Sequence, residues 1–361
     1  MLFTPGSQVR WWLLWAAIPY GIIARLRARC YHGGWLAERR LPVPVVSIGN
    51  LTVGGTGKTP IVIRLAEWLL AEGKRVAVLS RGYRRSSPEP KLLVSNGERL
   101  LVGPREAGDE PYLIASRCPK AVVAVGADRY ELGRWVLSRF PVDCVLLDDG
   151  FQHLALHRDV NLLLIDATDA DGLAAVVPAG RLREPVDAAA RATLIIVTRA
   201  DAAAQVAQVV QRLRAAVGHM PDPVQTRFRA EGLVSVTSGE SRSLPWCRAK
   251  TALLCSGIGH AASFRATAEG LGLRVLDEIR YPDHHLYTMR DADQLRARAG
   301  QLKADVVVTT EKDAGKLAPL LSPGDANWWA VRLGTEIAVG EDRLRQVIMQ
   351  QLTRPPMEVC A

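Results

Sequence analysis

A glycine-rich stretch, GNLTVGGTGKTP (residues 49–60), limits the fold of this chain more than any other feature. It follows a β-branched run, VPVVSIGN, and precedes a helical pattern from Lys58 to Leu70, which is the strand–loop–helix context of a phosphate-binding loop. Glycines let backbone N–H groups turn toward phosphate oxygens, a lysine reaches the outer phosphates, and a threonine hydroxyl binds Mg²⁺. The sequence therefore predicts a nucleotide site formed by Thr52, Val53, Gly54, Gly55, Thr56, Gly57, Lys58 and Thr59.

The loop departs from the pattern G-x-x-x-x-G-K-[ST] at one position, because Thr52 stands where the first glycine is expected. Thr52 lies where the chain leaves the strand, so Gly54, Gly55 and Gly57 remain able to form the phosphate cradle. Pro60 suits the first turn of the helix, where a backbone N–H has no intrahelical partner. The alternative is an ordinary glycine-rich turn with a surface lysine.

Two adjacent acids, Asp148 and Asp149, end another apolar run, VDCVLLDDG. Adjacent carboxylates after a buried strand repel each other unless a cation or hydrogen bonds compensate. Together with Thr59, they are predicted to surround the Mg²⁺ of a phosphoryl-transfer site. The alternative is a solvent-facing strand end without a metal.

Unbroken apolar runs alternate with helical patterns, which indicates an α/β fold with a parallel sheet covered on both faces. One insertion, LLVSNGERLLVG, has an Asn96-Gly97 turn between two apolar runs and predicts a hairpin. A second series of strands and helices begins near Pro223. The predicted units are an N-terminal helix (1–30), a P-loop NTPase-like nucleotide-binding domain (31–222), an extended linker (223–250) and a second, smaller α/β lobe (251–361).

The composition is that of a folded globular protein with an anionic partner. Of the 361 residues, 48% are hydrophobic and 23% charged, which excludes a disordered chain. A formal charge of +9 favours nucleic acid, an acidic membrane surface or a phosphorylated substrate, and no zinc-finger spacing or aromatic-interleaved basic motif supports nucleic acid. The six cysteines form no C-x-x-C pair, which argues against a zinc site or disulfide framework and favours a reducing compartment.

The segment WWLLWAAIPYGII, Trp11 to Ile23, is strongly apolar and is followed by Arg25, Arg27, Arg29, Arg39 and Arg40. Its length is below the roughly twenty residues that a spanning helix needs, and Pro19 interrupts it. Tryptophan beside arginine suits a segment that lies in the headgroup region of an anionic leaflet. Interfacial membrane contact is therefore expected, and the alternatives are a core-packed helix with a basic edge, a cleaved signal peptide and a true span.

Seven motifs follow one another along the chain: SIGNLTVGGTGKTP, SRGYRR, GDEP, DDGFQH, PAGRLREP, DHH and TTEKDAGK. Together they resemble the tetraacyldisaccharide 4′-kinases, the lipid A 4′-kinases of Gram-negative bacteria, from about Pro42 to Lys316. DDGFQH, PAGRLREP and PDHH are much more specific to that family than the loop is. The family also lacks the first glycine of the loop, so Thr52 is not a departure from it.

The resemblance implies transfer of the γ-phosphate of ATP, with Mg²⁺, to the 4′-hydroxyl of a tetraacylated glucosamine disaccharide 1-phosphate in lipid A biosynthesis. It implies two α/β lobes joined by a β-strand linker, with a membrane-associated N-terminal helix at the cytoplasmic face of the bacterial inner membrane, peripheral or monotopic. The expected partners are the lipid-linked disaccharide and the anionic membrane surface, with no nucleic acid and no protein partner inferred.

By match to the family's motifs, Asp109 of GDEP is the expected catalytic base, assisted by His284 of PDHH. A carboxylate that accepts the proton of a sugar hydroxyl contributes about 10²–10⁴-fold, and a histidine bonded to it orients it. Our hypothesis is that closure of the cleft between the lobes brings the two residues together and limits wasteful ATP hydrolysis. Taken alone, Asp109 is better explained as a helix N-cap and His284 as a surface loop residue.

Other polar residues of the motifs are expected near the substrates. Arg183 and Glu184 of GRLREP hold the phosphate of the acceptor or pair with each other. Arg129 and Arg81 are each as well explained by phosphate contacts as by structural roles. Gln152 is a further candidate for substrate binding, or it supports the acid pair.

Two residues have expected supporting roles. His153, which follows the acid pair in DDGFQH, is expected to support that pair and not to react. Thr310 of TTEKD is expected to cap a helix toward Asp313, and this segment is either structural or adjacent to the substrate.

Two other functions remain open on the sequence. One is a membrane-associated nucleotide-dependent switch or partitioning ATPase without a lipid product. The segment IIVTRAD faintly resembles the base-reading N-K-x-D element of GTPases, but it has Thr198 and Arg199 in place of Asn and Lys. The other is a non-catalytic membrane adaptor with a decayed loop, against which Lys58, Thr59 and the acid pair argue together.

Overall fold

The structure is a computed structural model that describes residues 9–259, 261–325 and 327–353. Residues 1–8 of the predicted membrane helix and 354–361 of the predicted second lobe lie outside the described residues. The helices are α1 (Leu14–His32), α2 (Lys58–Ala71), α3 (Pro104–Ala107), α4 (Asp109–Arg117), α5 (Arg129–Leu137), α6 (Ala203–Val217), α7 (Leu244–Cys247), α8 (Ala261–Gly270), α9 (Met289–Leu302), α10 (Glu311–Leu317) and α11 (Glu341–Leu352). Short 3-10 helices cover Trp11–Leu13, Ala167–Leu173, Val186–Arg191 and Ala318–Leu320.

The strands of the described chain form one mixed sheet of thirteen strands in the order β11-β10-β12-β13-β8-β7-β6-β1-β5-β2-β4-β3, with β9 paired to β8. All neighbours are parallel except at β13–β8, β8–β9 and β3–β4. The predicted α/β class with a parallel sheet is therefore confirmed. The strands are β1 (Val45–Asn50), β2 (Val76–Ser80), β3 (Lys91–Asn96), β4 (Val122–Gly126), β5 (Cys144–Asp148), β6 (Val160–Asp166), β7 (Leu194–Thr198), β8 (Val224–Ser235), β9 (Ser241–Arg242), β10 (Thr251–Ser256), β11 (Arg274–Arg280), β12 (Val306–Thr310) and β13 (Trp328–Val339).

A long antiparallel ribbon joins the two series of strands. β8 and β13 are twelve residues each, and they pair from Gln225 opposite Val339 to Ser235 opposite Trp329. β8 also continues the first series by pairing in parallel with β7. The predicted linker is thus a strand of the sheet itself, while the predicted boundaries at residues 222 and 250 stay a prediction.

Apolar side chains cover both faces of the sheet. In the first series, α2 and α4 pack on one face and α5 on the other, with Ile48 and Leu147 fully buried on opposite sides. In the second series, α8 and α9 cover opposite faces of β10 and β12. The C-terminal helix α11 returns to the first series, where Leu344 and Ile348 join the core beneath α2. These buried strands explain why their sequences are unbroken apolar runs.

The predicted hairpin at Asn96-Gly97 forms only in part. The chain does turn at Gly97, and Ser95 makes a single bridge to Leu100. The run after the turn is not a strand, but the N–H of Leu101 donates to the carbonyl of Val94 at 2.9 Å. β3 also pairs antiparallel with β4 in the large sheet. The hairpin is therefore present as a bridge with its hydrogen bonds and not as a second strand.

The helix α1 exposes most of its apolar side chains. Trp11 and Trp12, just before it, and Trp15 within it are 77%, 58% and 74% exposed, whereas only Ala17 and Gly21 of the helix are buried. The alternative of a core-packed N-terminal helix is therefore wrong for these side chains. Within the described part of the chain, no helix is both long and apolar enough to cross a membrane.

Candidate active site

The order of the sheet brings the polar motifs of the first series together. β1 lies between β5 and β6, and β2 lies between β5 and β4. The carboxyl ends of neighbouring parallel strands meet at one edge of a sheet. The loop after β1 and the acids at the end of β5 therefore lie at this edge, together with the segments SRGY (80–83) after β2 and ADRY (127–130) after β4. The site lies where a doubly wound sheet is expected to bind its ligand.

The glycine-rich loop has the backbone of a phosphate cradle. Gly57 has a φ of 81° and precedes the first residue of α2, a conformation that a side chain would strain. The ring of Phe228 from β8 also fills the space that a Cβ of Gly57 would occupy. The positive end of α2 thus faces the loop, which favours a bound anion.

Thr52 holds the first turn of the loop against the segment PAGRLREP. Thr52 is 5% exposed and forms an isolated bridge with Leu182, while the N–H of Val53 donates to the carbonyl of Arg181 at 2.7 Å. The Arg181 guanidinium donates back to the Val53 carbonyl at 2.9 Å. A threonine in place of the first glycine therefore belongs to the wall that supports the cradle.

Lys58 lies across the loop between two partners. Its Nζ donates to Oδ1 of Asn50 at 3.1 Å and lies 3.5 Å from Oδ1 of Asp149. Thr59 follows it in the first turn of α2 and is partly exposed. An amine held by a neutral amide and a loose ion pair is well placed to exchange a partner for a phosphate oxygen.

The acid pair has the properties of an incomplete cation site. Asp148 is 1% exposed, and its Oδ2 accepts a hydrogen bond from Ser80 at 2.8 Å. Burial, then the charges of Glu110 and Asp149, raise the pKa of Asp148 to about 7. For Asp149, burial alone would raise the pKa, but Lys58 and Arg183 bring it below its usual value.

The residues present fit a magnesium ion shared with phosphates. One oxygen of Asp148 and one of Asp149 are buried without a hydrogen bond from any described residue. No group of three or more His, Cys, Asp or Glu in the described chain could hold a metal by itself. Mg²⁺ usually takes one or two carboxylates plus phosphate and water ligands, so two carboxylates and the Thr59 hydroxyl suffice.

Arg183 and Glu184 do not pair with each other. Arg183 donates to Oδ2 of Asp149 at 2.8 Å, whereas Glu184 pairs with Arg191 at 2.7 Å. Asp149 itself has a φ of 55°, an uncommon left-handed conformation for a non-glycine residue. Arg183 thus contacts Asp149 of the acid pair, whereas Glu184 contacts Arg191.

Arg129 is also brought to this edge. It is the first residue of α5 and is 5% exposed, and it donates to the carbonyl of Ala127 at 2.7 Å. Burial, then the charge of Arg81, lowers the pKa of Arg129, and Asp148 and Asp149 oppose this. Arg129 and Arg81 therefore place positive charge beside the acid pair.

Gln152 and His153 lie in the segment that follows the acid pair. Gln152 donates from Nε2 to the carbonyl of Asn50 at 2.9 Å, which ties the segment after the acids to the start of the loop. His153 is largely buried, and this burial lowers its pKa to about 4, so it is neutral at physiological pH. The supporting roles of both residues stay a prediction.

The two residues expected to form the catalytic base are in contact. Asp109 is the first residue of α4, with Gly108 at the cap position, so Asp109 is not the N-cap. Its Oδ2 lies 3.1 Å from Nδ1 of His284, which belongs to the segment after β11. The backbone of His284 is held at a φ of 63°, and Tyr83 contacts its ring edge-on at 5.8 Å. Asp109 belongs to the first series of strands and His284 to the second. The contact that we expected from closure of the cleft is therefore already present in this structure.

Several functional contacts were missed on the sequence. Asn50 and Arg181 hold the loop and Lys58, and Lys316 of α10 lies 3.2 Å from Oδ2 of Asp109. All three lie inside the recognised motifs, which was the available signal. The predicted cap from Thr310 to Asp313 is confirmed, since Thr310 Oγ1 accepts the N–H of Asp313 at 3.1 Å.

The segment IIVTRAD does not present a base-reading element. Thr198 is fully buried, and its hydroxyl donates to the carbonyl of Thr56 in the loop at 2.9 Å. Arg199 pairs with Asp166 and lies over the ring of Phe228. The segment therefore braces the loop from below.

The helix α1 is docked on the segment that carries Arg183. The Tyr20 hydroxyl donates to the carbonyl of Arg183 at 2.8 Å, and Arg25 pairs with Asp187 at 2.8 Å. Gly21 lies against Pro185. The helix that follows the exposed Trp11 and Trp12 and contains Trp15 is thus in direct contact with the Arg183 segment.

Comparison with known proteins identifies the family of this chain. The family model described as Tetraacyldisaccharide-1-P 4′-kinase matches residues 9–353. A tetraacyldisaccharide 4′-kinase of Anaeromyxobacter sp. strain Fw109-5 is 40% identical over 331 residues, covering 92% of this chain and 88% of that protein. One of Geobacter sulfurreducens is 40% identical over 309 residues, covering 85% and 84%.

A solved structure agrees with the sequence matches. The crystal structure titled "apo" form LpxK from Aquifex aeolicus in complex with ATP matches with a TM-score of 0.77 and 32% identity. The match covers 95% of this chain and 99% of that one. The chain therefore belongs to the tetraacyldisaccharide-1-P 4′-kinase family.

Proposed function

We propose that this kinase transfers the γ-phosphate of ATP to the 4′-hydroxyl of a tetraacylated glucosamine disaccharide 1-phosphate, with Asp109 as the general base. The observation that carries this assignment is the contact between Asp109 and His284 at 3.1 Å. Asp109 precedes Glu110 in the chain, and the charge of Glu110 contributes to the raised pKa of Asp148, which supports a base on the same side of the site as the acid pair. A nucleotide-dependent switch has no need of a buried carboxylate–histidine pair at this place.

The loop and the edge of the sheet bind and orient the nucleotide in this proposal. The backbone N–H groups of Gly54 to Gly57 and the ammonium of Lys58 hold the phosphates. Thr59, Asp148 and Asp149 would hold Mg²⁺, which when bound neutralises the negative charge of the phosphates. Because Asp149 is already paired with Arg183 and Lys58, those two cations can turn from the carboxylate to the phosphate as the nucleotide binds.

The acceptor hydroxyl approaches from the side of Asp109. The 4′-oxygen attacks the γ-phosphorus, the bond from that phosphorus to the bridging oxygen of the β-phosphate breaks, and ADP leaves with the electron pair of that bond. The carboxylate accepts the proton of the 4′-hydroxyl in this step, which would contribute about 10²–10⁴-fold to the rate. His284 fixes the orientation of the carboxylate through the oxygen that it contacts. The cations Arg129 and Arg183, with Gln152 beside them, are the proposed contacts for the substrates at the same edge.

The acyl chains of the acceptor reach the site along α1. The exposed face with Trp11, Trp12 and Trp15 suits the interface of a bilayer, and α1 is docked directly on the Arg183 segment. We infer a peripheral attachment to an anionic membrane surface, at the cytoplasmic face of the inner membrane. Arginines of α1 such as Arg27 and Arg29 would contact anionic headgroups.

The test offers labelled ATP and the disaccharide 1-phosphate lipid to the purified protein in mixed micelles. A labelled lipid that carries phosphate at the 4′-position, formed by the wild type and not by Lys58→Met, is the expected result. ATP hydrolysis that is independent of the lipid, without a labelled lipid, would contradict the proposal and favour the switch.

A further inference from the structure

We propose that Lys316 of α10, held by Asp313, is a positioning residue that fixes the carboxylate of Asp109 for proton transfer. The Nζ of Lys316 lies 3.2 Å from Oδ2 of Asp109 and 2.9 Å from Oδ1 of Asp313. The side chain of Lys316 is 3% exposed and that of Asp313 is 0% exposed. This inference rests on the proposed role of Asp109 as the base.

Lys316 cannot itself reach a substrate, because its ammonium is enclosed. The Tyr287 ring lies 5.5 Å from Nζ, and the two carboxylates take the remaining directions. A buried ammonium is costly unless it is paired, so its position is fixed by the two acids. The same fixed position constrains the oxygen of Asp109 that it contacts.

Asp313 is itself anchored at the start of α10. Its Oδ2 accepts hydrogen bonds from the N–H of Gly257 at 2.9 Å and from the hydroxyl of Thr310 at 2.8 Å. These partners follow β10 and end β12. The chain of contacts therefore runs from the rigid second series of strands, through Asp313 and Lys316, to the base on α4.

The helices α4 and α10 lie side by side in opposite directions. Asp109, which begins α4, meets Lys316 near the end of α10, and Arg117, which ends α4, donates to both oxygens of Glu311 at 3.1 Å. Between them, Gly315 lets α10 approach the ring of Tyr112, where a Cβ would lie 2.8 Å from Cε1. One ion pair thus lies at each end of the helix pair, but only one of them touches the base.

The charges around Asp109 determine in which direction a substitution shifts the pKa of this carboxyl. Burial alone would raise the pKa of Asp109, but the hydrogen bond from His284 and then the charges of Lys316 and Lys312 bring it below its usual value. Opposing negative charges come from Glu110 on α4, from Asp283 beside His284, and from Asp313 behind Lys316. Loss of the Lys316 charge therefore raises the pKa of the base, and loss of the Asp313 charge lowers it.

The experiment measures lipid phosphorylation by the full chain from pH 3 to pH 9, a range that includes the acidic limb expected for Asp109, for the wild type, Lys316→Met and Arg117→Met. Lys316→Met is expected to lower kcat about tenfold or more, because a misplaced base loses rate, and to move the acidic limb of kcat/KM to higher pH. Arg117→Met breaks the other end of the same helix pair, so it is expected to lower the melting temperature without moving that limb.

The outcomes separate this inference from the proposed function. A wild type that makes no phosphorylated lipid overturns both, and an Asp109→Asn variant as active as the wild type overturns the base together with Lys316. A Lys316→Met variant whose acidic limb stays at the wild-type position, with a loss like that of Arg117→Met, overturns the inference alone. If Lys316→Met does not fold, Asp313→Asn replaces it in the same experiment. The acidic limb of kcat/KM of Asp313→Asn should then move to lower pH. An acidic limb that stays in place or moves to higher pH overturns the inference.

Discussion

The proposed active site has a nucleotide side, formed by the loop with Asp148 and Asp149, and a base side, formed by Asp109, His284 and Lys316. The two sides differ in how completely their polar atoms are paired. On the nucleotide side, Asp148 and Asp149 each have a buried oxygen without a hydrogen bond from the described residues, and Lys58 has one hydrogen bond to Asn50 and a loose ion pair with Asp149. On the base side, Oδ2 of Asp109 is contacted by both His284 and Lys316 within 3.2 Å. The comparison indicates that ligands complete the nucleotide side, whereas the protein assembles the base side by itself.

The largest expected effect follows from a substitution of Lys58 on the nucleotide side. Lys58→Met keeps the volume of the side chain but removes the charge that moves to the phosphates, so we expect kcat to fall by about 10²–10³-fold. Initial rates of lipid phosphorylation measure this, with the exposed Lys120→Met as a control that keeps wild-type activity. A Lys58→Met variant within twofold of the wild type would show that the loop is not the phosphate cradle.

The next prediction concerns the buried Asp148 of the nucleotide side and the free energy of unfolding. The pKa of Asp148 is raised to about 7, so the stability of the folded chain falls as the pH rises from about 4 to 7 and this carboxyl ionises. Asp148→Asn removes that loss, so we expect the variant without nucleotide or metal to be more stable than the wild type at pH 8, on the order of 2 kcal/mol. Denaturant unfolding at pH 8 and pH 5 measures the difference.

The control for this prediction is Asp171→Asn, because Asp171 is 65% exposed and its ion pair is screened by solvent. The stability gap between Asp148→Asn and the wild type should be clearly smaller at pH 5 than at pH 8 and should close only near pH 4, while Asp171→Asn should show no gap at any of these pH values. An Asp148→Asn variant that is less stable at pH 8 would mean that the nucleotide side is already satisfied by the protein. The same variant should lose kinase activity, since stability and function oppose each other at this position.

The smallest expected effect concerns the exposed face beside α1. Replacement of Trp11, Trp12 and Trp15 by serine should weaken binding to anionic vesicles by about tenfold or more, since each buried apolar side chain contributes about 1.5–3 kcal/mol. Vesicle cosedimentation with and without anionic lipid measures this. The double variant Leu100→Ser/Leu101→Ser also removes exposed apolar side chains, far from α1 in the sequence, and should bind like the wild type.

The nucleotide side could be predicted from residues that are close together in the sequence. The loop after β1 and the acids ending β5 each combine an apolar strand with a short polar motif, and the pairing of β1 with β5 then makes them neighbours. Local chemistry and the rules of parallel sheets were enough for both. The hairpin after β3 formed only in part, as a single bridge between Ser95 and Leu100 where the sequence predicted a second strand.

The base side was reached only through the family resemblance. Nothing near Asp109 in the sequence indicates His284, 175 residues away, or Lys316, 207 residues away. Their meeting depends on how the β8–β13 ribbon orients the second series of strands toward α4, and the sequence pattern carries no signal for that orientation. The pairings of Arg183 with Asp149 and of Glu184 with Arg191, all within the first series of strands, were also missed.

The most direct test of the separate roles compares Asp109→Asn with the wild type for ATP binding and for phosphoryl transfer. The account predicts that the variant binds ATP with unchanged affinity, measured by calorimetry, while a rapid-quench assay shows lipid phosphorylation reduced by about 10²–10⁴-fold. Lipid phosphorylation by Asp109→Asn at the wild-type rate would contradict it, and so would a loss that is entirely explained by weaker ATP binding.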